Sequence, residues 1–200
     1  MAENINGGIG SYHLAARPDL YEIQRGNNFE FTVEGLNKTL RAGINPEAQP
    51  TDDDYIASNA EDVLKFSVVS FTEPHFSQSP IEIRRGNSVF KVAGTPTFDN
   101  GSLVINDYIG ADGKSILMAW QNLSYNVATE KVGYMKDYKK RCYLREYTPA
   151  YKLVRTWTLE GCWVSGIQGG DFNAESNDKK TITATIAYDK AYMEYEYTNN

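Results

Sequence analysis

Two runs decide the fold. The first is Lys152-Leu153-Val154-Arg155-Thr156-Trp157-Thr158-Leu159-Glu160-Gly161-Cys162-Trp163. After a polar link comes Thr181-Ile182-Thr183-Ala184-Thr185-Ile186-Ala187-Tyr188-Asp189. In the second run Ile182, Ala184, Ile186 and Tyr188 alternate with Thr181, Thr183 and Thr185. Period-2 alternation in β-branched residues marks a strand with one face buried and one wet. The first run alternates as well, with Leu153, Trp157 and Leu159 on one face and only Arg155 breaking it. The pair reads as the closing edge of an all-β barrel or sandwich, turned at a glycine and tryptophan corner.

Working outward, the same signature recurs. Phe29, Phe31 and Val33 alternate with Glu30, Thr32 and Glu34 after a Gly26-Asn27-Asn28 turn. Val63 to Phe71 reads as a strand buried on both faces for part of its length. Ile81-Glu82-Ile83-Arg84-Arg85 and Ser88-Val89-Phe90-Lys91-Val92 flank Gly86-Asn87, a hairpin turn. Ser102 to Asp107 and Lys139 to Tyr147 add two more strands, the latter with Cys142 and Leu144 opposite Arg141, Tyr143 and Arg145. One helix is expected from Ser115, where Ile116, Ala119, Trp120, Leu123 and Val127 keep helical spacing; Ser115 is its expected cap and Trp120 its core anchor. About eight strands with no repeating strand–helix–strand unit give a mainly β fold. Two packed antiparallel sheets form a barrel or sandwich with one flanking α-helix and a long inserted loop.

Two hundred residues suit one domain. Residues 1–17 read as a mobile N-terminal arm, and 18–200 as a single β domain with an insertion at about 35–60. That insertion holds Gly35, Gly43, Pro46, Pro50 and the acidic Asp52-Asp53-Asp54 followed by Tyr55, with few large apolar groups. A loop this long inside a compact domain is either a solvated excursion or an arm that orders on a partner.

The chemistry expected of an enzyme is missing from the sequence. The two histidines, His13 and His75, stand apart from Cys or carboxylates at ligand spacing, so no zinc set assembles. There is no nucleophile elbow, phosphate loop or His-Glu-x-x-His. Asp52-Asp53-Asp54 lacks the alternation of a calcium loop. Cys142 and Cys162 read as free thiols, and no cofactor is implied. The N-terminus lacks a signal-peptide pattern, and no apolar run approaches the ~20 residues of a membrane span. A net charge of −6 argues against tight nucleic-acid binding, which draws its affinity from phosphate neutralisation. The basic run from Lys136 to Arg145 reads as a solvated strand face or a row of inter-subunit salt bridges.

Several ordered segments together resemble the tail tube proteins of contractile-tailed bacteriophages. They are Arg17-Pro18-Asp19-Leu20-Tyr21, Gly94-Thr95-Pro96-Thr97-Phe98-Asp99 leading into Ser102 to Asp107, and Trp120-Gln121. Tyr138-Lys139-Lys140, Leu144-Arg145-Glu146-Tyr147 and Gly161-Cys162-Trp163-Val164-Ser165-Gly166-Ile167 complete the set. Val164 stands where the family often has proline. The resemblance spans roughly 17–33 and 62–190, and leaves 35–60 without a counterpart. It implies a non-enzymatic structural subunit. Homo-hexameric rings would stack into a hollow tube inside a contractile sheath. Further implied partners are the sheath protein, a baseplate or tube initiator, a tape-measure protein, and genomic DNA passing through the lumen without specific binding. The implied location is the virion tail, assembled in the host bacterial cytoplasm, with no membrane binding. Tubes of tailocins and type VI-like secretion systems share the fold, and a carbohydrate-binding β-sandwich is a reading of a different class. On the tube reading Trp120, Trp157, Trp163 and Tyr188 hold the barrel shape, and Asp52, Asp53, Asp54 and Tyr55 lie in a ring–ring contact segment.

Overall fold

The computed structural model describes residues 22–42, 59–170, 172–175 and 177–196. Thirteen strands appear among them. The first seven are β1 (Phe29–Glu34), β2 (Val68–Phe71), β3 (Phe76–Gln78), β4 (Ile81–Arg85), β5 (Ser88–Val92), β6 (Pro96–Phe98) and β7 (Gly101–Asn106). The rest are β8 (Tyr125–Asn126), β9 (Lys131–Val132), β10 (Lys140–Tyr147), β11 (Leu153–Gln168), β12 (Thr181–Ala187) and β13 (Lys190–Tyr195). Four helical segments accompany them: α1 (Leu36–Ala42), α2 (Ala60–Ser67), α3 (Gly113–Ser124) and α4 (Met135–Tyr138). Seven strands form one antiparallel sheet in the order β1-β10-β11-β12-β7-β2, with β13 added on β11. Three small ladders, β3 with β6, β4 with β5 and β8 with β9, complete the β structure.

The strand expected at the closing edge is the central one. β11 runs for 16 residues and has three partners. Its first half lies between β10 and β13, and its second half pairs with β12. The bend between the halves is at Gly161, whose φ is +71°. Across it the register slips by one residue, from Cys142 opposite Leu159 to Lys140 opposite Cys162. An extra residue in the left-handed conformation is a glycine-type β-bulge, which bends a strand and increases its twist. One long strand thereby belongs to two differently directed parts of the sheet. Among the described residues the sheet does not close into a barrel: β1 and β2 end the path and share no ladder. Phe31 of β1 stacks on Phe71 of β2 at 4.4 Å between ring centroids. Beside them a cleft of about 270 Å³ is lined by Phe29, Val69, Phe71 and Leu144, with Arg25 and Glu73 among its polar residues.

The core follows the alternation. Phe31 and Val33 of β1, Cys142 and Leu144 of β10, Leu159 of β11 and Ala191 of β13 share one buried face. Leu103 and Ile105 of β7 and Ile182, Ala184 and Ile186 of β12 supply the other. Helix α3 lies over the core with Ile116, Leu117 and Trp120 buried. Its cap is Asp112 rather than Ser115: the Ser115 backbone N–H donates to Asp112 Oδ1 at 2.9 Å. Val127 lies beyond the helix end and is exposed.

Two further expectations change. Residues 63–67 are helical, not a strand: Ala60, Leu64 and Ser67 fall on one buried helical face, and the strand begins at Val68. The described ends of the 35–60 stretch are also anchored, since Leu36 and Ala60 are fully buried. The first turns of α1 and α2 cap each other. Asn37 N–H donates to Glu61 Oε1 at 3.1 Å, and Glu61 N–H donates to Asn37 Oδ1 at 2.9 Å. Each bond satisfies a helix-start donor that has no partner within its own helix.

Candidate assembly surfaces

The residues singled out as shape-holding fall into two groups. Trp120 is fully buried, and its indole Nε1 donates to the Tyr138 carbonyl at 2.8 Å, tying α3 to α4. Tyr188 is buried, with its ring 6.1 Å from Phe98 at the root of the β3–β6 ladder. Trp157 and Trp163 are half-buried. Trp157 sits opposite Leu144 and Met193 on the inner face. Trp163 meets Tyr138 edge-on at 5.9 Å. Asp52, Asp53, Asp54 and Tyr55 lie outside the described residues.

The four-stranded part β1-β10-β11-β13 has an apolar inner face and a polar outer one. Pairing puts Glu30, Thr32 and Glu34, then Arg141, Tyr143 and Arg145, then Thr156, Thr158 and Glu160, then Lys190, Tyr192 and Glu194 on the outer face. Many of these groups bond one another, although the buried Thr156 Oγ1 has no hydrogen-bond partner among the described residues. Tyr143 and Tyr147 hydroxyls donate to Glu34 and Glu30, each at 2.9 Å. Arg145 donates to Thr32 at 3.3 Å and lies 3.8 Å from Glu30, which Lys65 also meets at 2.9 Å. Arg141 and Lys190 approach Glu160 at 3.7 and 3.9 Å. Burial alone would raise the Glu30 pKa. Hydrogen bonds from Lys65 and Tyr147, with the charges of Lys65 and Arg145, outweigh burial and hold it below the ordinary carboxylate value. Burial and the bond to Glu30 push the Tyr147 phenol up. The face is a matched lattice: Arg141, Arg145 and Lys190 each already have a carboxylate.

Among the described residues, the two outer strands of this part, β1 and β13, each have a ladder on one side only. Glu196 N–H donates to the Val154 carbonyl at 2.9 Å, which fixes the alternation along β13. The backbone N–H groups of Ala191, Met193 and Tyr195 therefore face away from β11. A row of unpaired donors and acceptors on an outer strand is a template for another strand.

The corner at Gly161 is locked from outside. A Cβ at Gly161 would run into the Asp189 carboxylate. That carboxylate receives both of its short bonds, 2.8 and 2.6 Å, from Lys139 Nζ. Among the described residues no group of His, Cys, Asp or Glu could hold a metal ion, and no helix is long and apolar enough to cross a membrane. The thiols of Cys142 and Cys162 are free and fully buried.

The sequence did not single out two of these features. The outward N–H row of β13 was hidden because Lys190 to Tyr195 carries neither clean alternation nor a glycine stop. The mutual capping of α1 and α2 joins residues 24 positions apart, a distance no local pattern spans.

The family description "T4-like virus tail tube protein gp19" matches residues 27–192. No curated protein matches the chain by sequence. Among solved structures, the fold is similar to a chain of an extracellular contractile injection system, the PVC sheath–tube complex in the extended state. That match has 19% identity and a TM-score of 0.59, covering 94% of this chain and 99% of the other. A chain from the PVC sheath/tube terminator matches at 21% identity and TM-score 0.58, over 87% of this chain and 97% of that one. A chain of the anti-feeding prophage baseplate matches at 13% identity and TM-score 0.54, over 84% and 91%. The family match covers most of the described chain, including both halves of β11 and the first half of β13. The chain belongs to the T4-like virus tail tube protein family, and its role is that of a structural, tube-forming subunit rather than an enzyme.

Proposed function

We propose that the subunit forms homo-hexameric rings by joining β13 of one copy to β1 of the next, and that the rings stack into the hollow tube of a contractile tail. The observation that carries this is the pair of one-sided outer strands on a single four-stranded part. Strand addition would satisfy both rows of backbone groups at once and leave no free edge around the ring. The half-exposed tyrosines Tyr143 and Tyr147 would run around that continuous sheet.

The tube sits inside a contractile sheath, starts on a baseplate or tube initiator, encloses a tape-measure protein during assembly and then conducts the genome. It is assembled in the host bacterial cytoplasm and carried in the virion tail. The matched outer face supports passage of DNA without retention. Its cations are engaged by carboxylates, so little counterion release is available to hold phosphate. Residues 35–60, with Asp52, Asp53, Asp54 and Tyr55, contribute to ring–ring contacts. The described ends of that segment are anchored by α1 and α2. Trp120, Trp157, Trp163 and Tyr188 keep the subunit shape on which stacking depends.

A second reading, a tailocin or secretion-type tube, is favoured by the sources of the similar structures, an extracellular contractile injection system and an anti-feeding prophage. Neighbouring genes separate the two, since capsid genes beside a sheath gene mark a phage.

The ring contact is tested by Met193→Pro. Proline there removes an outward N–H and leaves the bonds to β11 in place. The expected result is a folded monomer by sedimentation and circular dichroism. Hexamers as abundant as in the parent chain would refute the β13–β1 contact.

A further inference from the structure

Cys142 and Cys162 are the only cysteines of the chain. Both are free and fully buried. Cys142 lies on β10 directly opposite Leu159 of β11, and Cys162 lies further along β11, past the bend at Gly161 and opposite Lys140. Leu159 and Cys162 are three residues apart, so on a regular strand they would face opposite ways. The extra residue of the bulge restores Cys162 to the inner face, and both cysteines enter the same buried cluster. The two stand diagonally across the bulge, on strands that are otherwise joined only by backbone bonds and packing.

The thiols meet there. The Cys142 thiol hydrogen-bonds to the Cys162 sulfur, and the Cys162 thiol donates to the Leu159 carbonyl at 3.5 Å. Thiols are weak donors and weak acceptors, so these bonds hold the bend only lightly. Burial, with the neighbouring Cys162 thiol, pushes the Cys142 thiol well above its ordinary value. Little Cys142 thiolate therefore exists near neutral pH, and the thiolate is the species that attacks a disulfide. The folded pair is slow to react while the bend is closed and reacts when the bend opens.

We infer that Cys142 and Cys162 are a latent cross-link, which closes into a disulfide between β10 and the second half of β11 and pins the bend at Gly161. The oxidant is a small disulfide. One cysteine thiolate attacks a sulfur of that molecule and releases one small thiol, leaving a mixed disulfide on the protein. The other cysteine then attacks the protein-side sulfur, so the Cys142–Cys162 bond forms and the second small thiol leaves. The protein gives up two electrons and two protons, and the small disulfide takes up both. Closing the loop between residues 142 and 162 restricts the unfolded chain and so favours the folded one. The first half of β11 pairs with β13 and the second with β12, so the cross-link fixes the angle between those two parts of the sheet. The occasion for closure rests on the function proposed above: thiols persist while the chain is made in a reducing cytoplasm, and a tube carried outside the cell meets oxidising surroundings.

The experiment treats the full, folded, reduced chain with oxidised glutathione at about pH 8, near the ordinary thiol value. Intact mass and peptide mapping report the bond, and thermal melting reports stability. The expected product has lost two hydrogens, yields a linked Cys142–Cys162 peptide pair and melts several degrees above the reduced chain. Its formation should speed up in urea below the unfolding transition, where the bend opens, and dithiothreitol should reverse both changes. Cys142→Ala should show neither the internal bond nor the higher melting. Glutathione adducts without the internal bond, a chain that stays reduced even in urea, or an oxidised chain that melts below the reduced one would each overturn the inference. These readouts are made on the subunit and need no ring. A parent chain that sediments as a monomer at every concentration would count against the ring proposal and leave the cross-link standing.

Discussion

The β1-β10-β11-β13 part and the β4–β5 ribbon are built from the same material and end up in opposite states. Both are antiparallel, both alternate apolar with polar residues, and both turn through glycine-assisted irregularities at Gly161 and Gly86, each with positive φ. In the first, alternation has a destination: Phe31, Val33, Cys142, Leu144 and Leu159 are buried beneath the α helices and the β7–β12 strands. In the second, Ile81, Ile83, Phe90 and Val92 reach solvent. Alternation therefore reports that a face is apolar, not what covers it. Where the chain supplies the cover, the pattern marks core. Where it does not, the pattern leaves an apolar face in solvent.

The contrast is sharpest where mutations cost stability. Trp120→Ala should destabilise the subunit by about 3–5 kcal/mol in urea titration, because it empties a fully buried site and leaves the Tyr138 carbonyl without its donor. Trp157→Ala should cost less, about 2 kcal/mol, since that ring is only half-buried. A larger loss at Trp157 than at Trp120 would show that the β11 corner, not α3, anchors the core. Gly161→Ala should cost about 1–3 kcal/mol through its left-handed backbone and the displaced Asp189 carboxylate. An unchanged denaturation midpoint would mean that the bend does not depend on this residue.

Titration probes the outer face. The Glu30 pKa is depressed in the folded protein, so its contribution is complete above the unfolded carboxylate pKa and is lost as pH falls through the lower folded value. Glu30→Gln should flatten the acid limb of the stability–pH curve. An acid limb as steep as the parent's would remove Glu30 from the balance. The smallest effect belongs to the ribbon. Ile83→Ser with Phe90→Ser should change subunit stability by no more than about 0.5 kcal/mol, since both side chains are exposed. A loss comparable to Trp120→Ala would make the ribbon part of the core and erase the distinction.

Much of the fold was legible because alternation survives translation into structure. β1, β7, β10, β12 and the β4–β5 hairpin lie where their patterns place them. Three features were not legible, for physical reasons. Residues 60–67 are apolar often enough to suit either period, and only the burial of Ala60, Leu64 and Ser67 on one side selects the helix. Alternation alone places β11 at an edge, because a sequence shows alternation but not partner number; a 16-residue strand bent at Gly161 can serve three neighbours. Asp112, three residues ahead of Ser115, took the cap because its carboxylate reaches the Ser115 N–H. The structural role was readable from the order of the family-like segments, which the family match over residues 27–192 bears out. The assembly surfaces were less so, since an open strand edge is a property of the backbone and of which neighbour is missing.

The central claim is that this subunit builds a tube from rings, through open strand edges around the ring. Electron microscopy of the purified full chain at raised concentration, with sixfold averaging of end views, tests it most directly. The account predicts hollow cylinders of uniform diameter that break down to rings, and their loss to monomers in the Met193→Pro variant. Monomers with no ring at any concentration, or tubes undiminished by Met193→Pro, would contradict it.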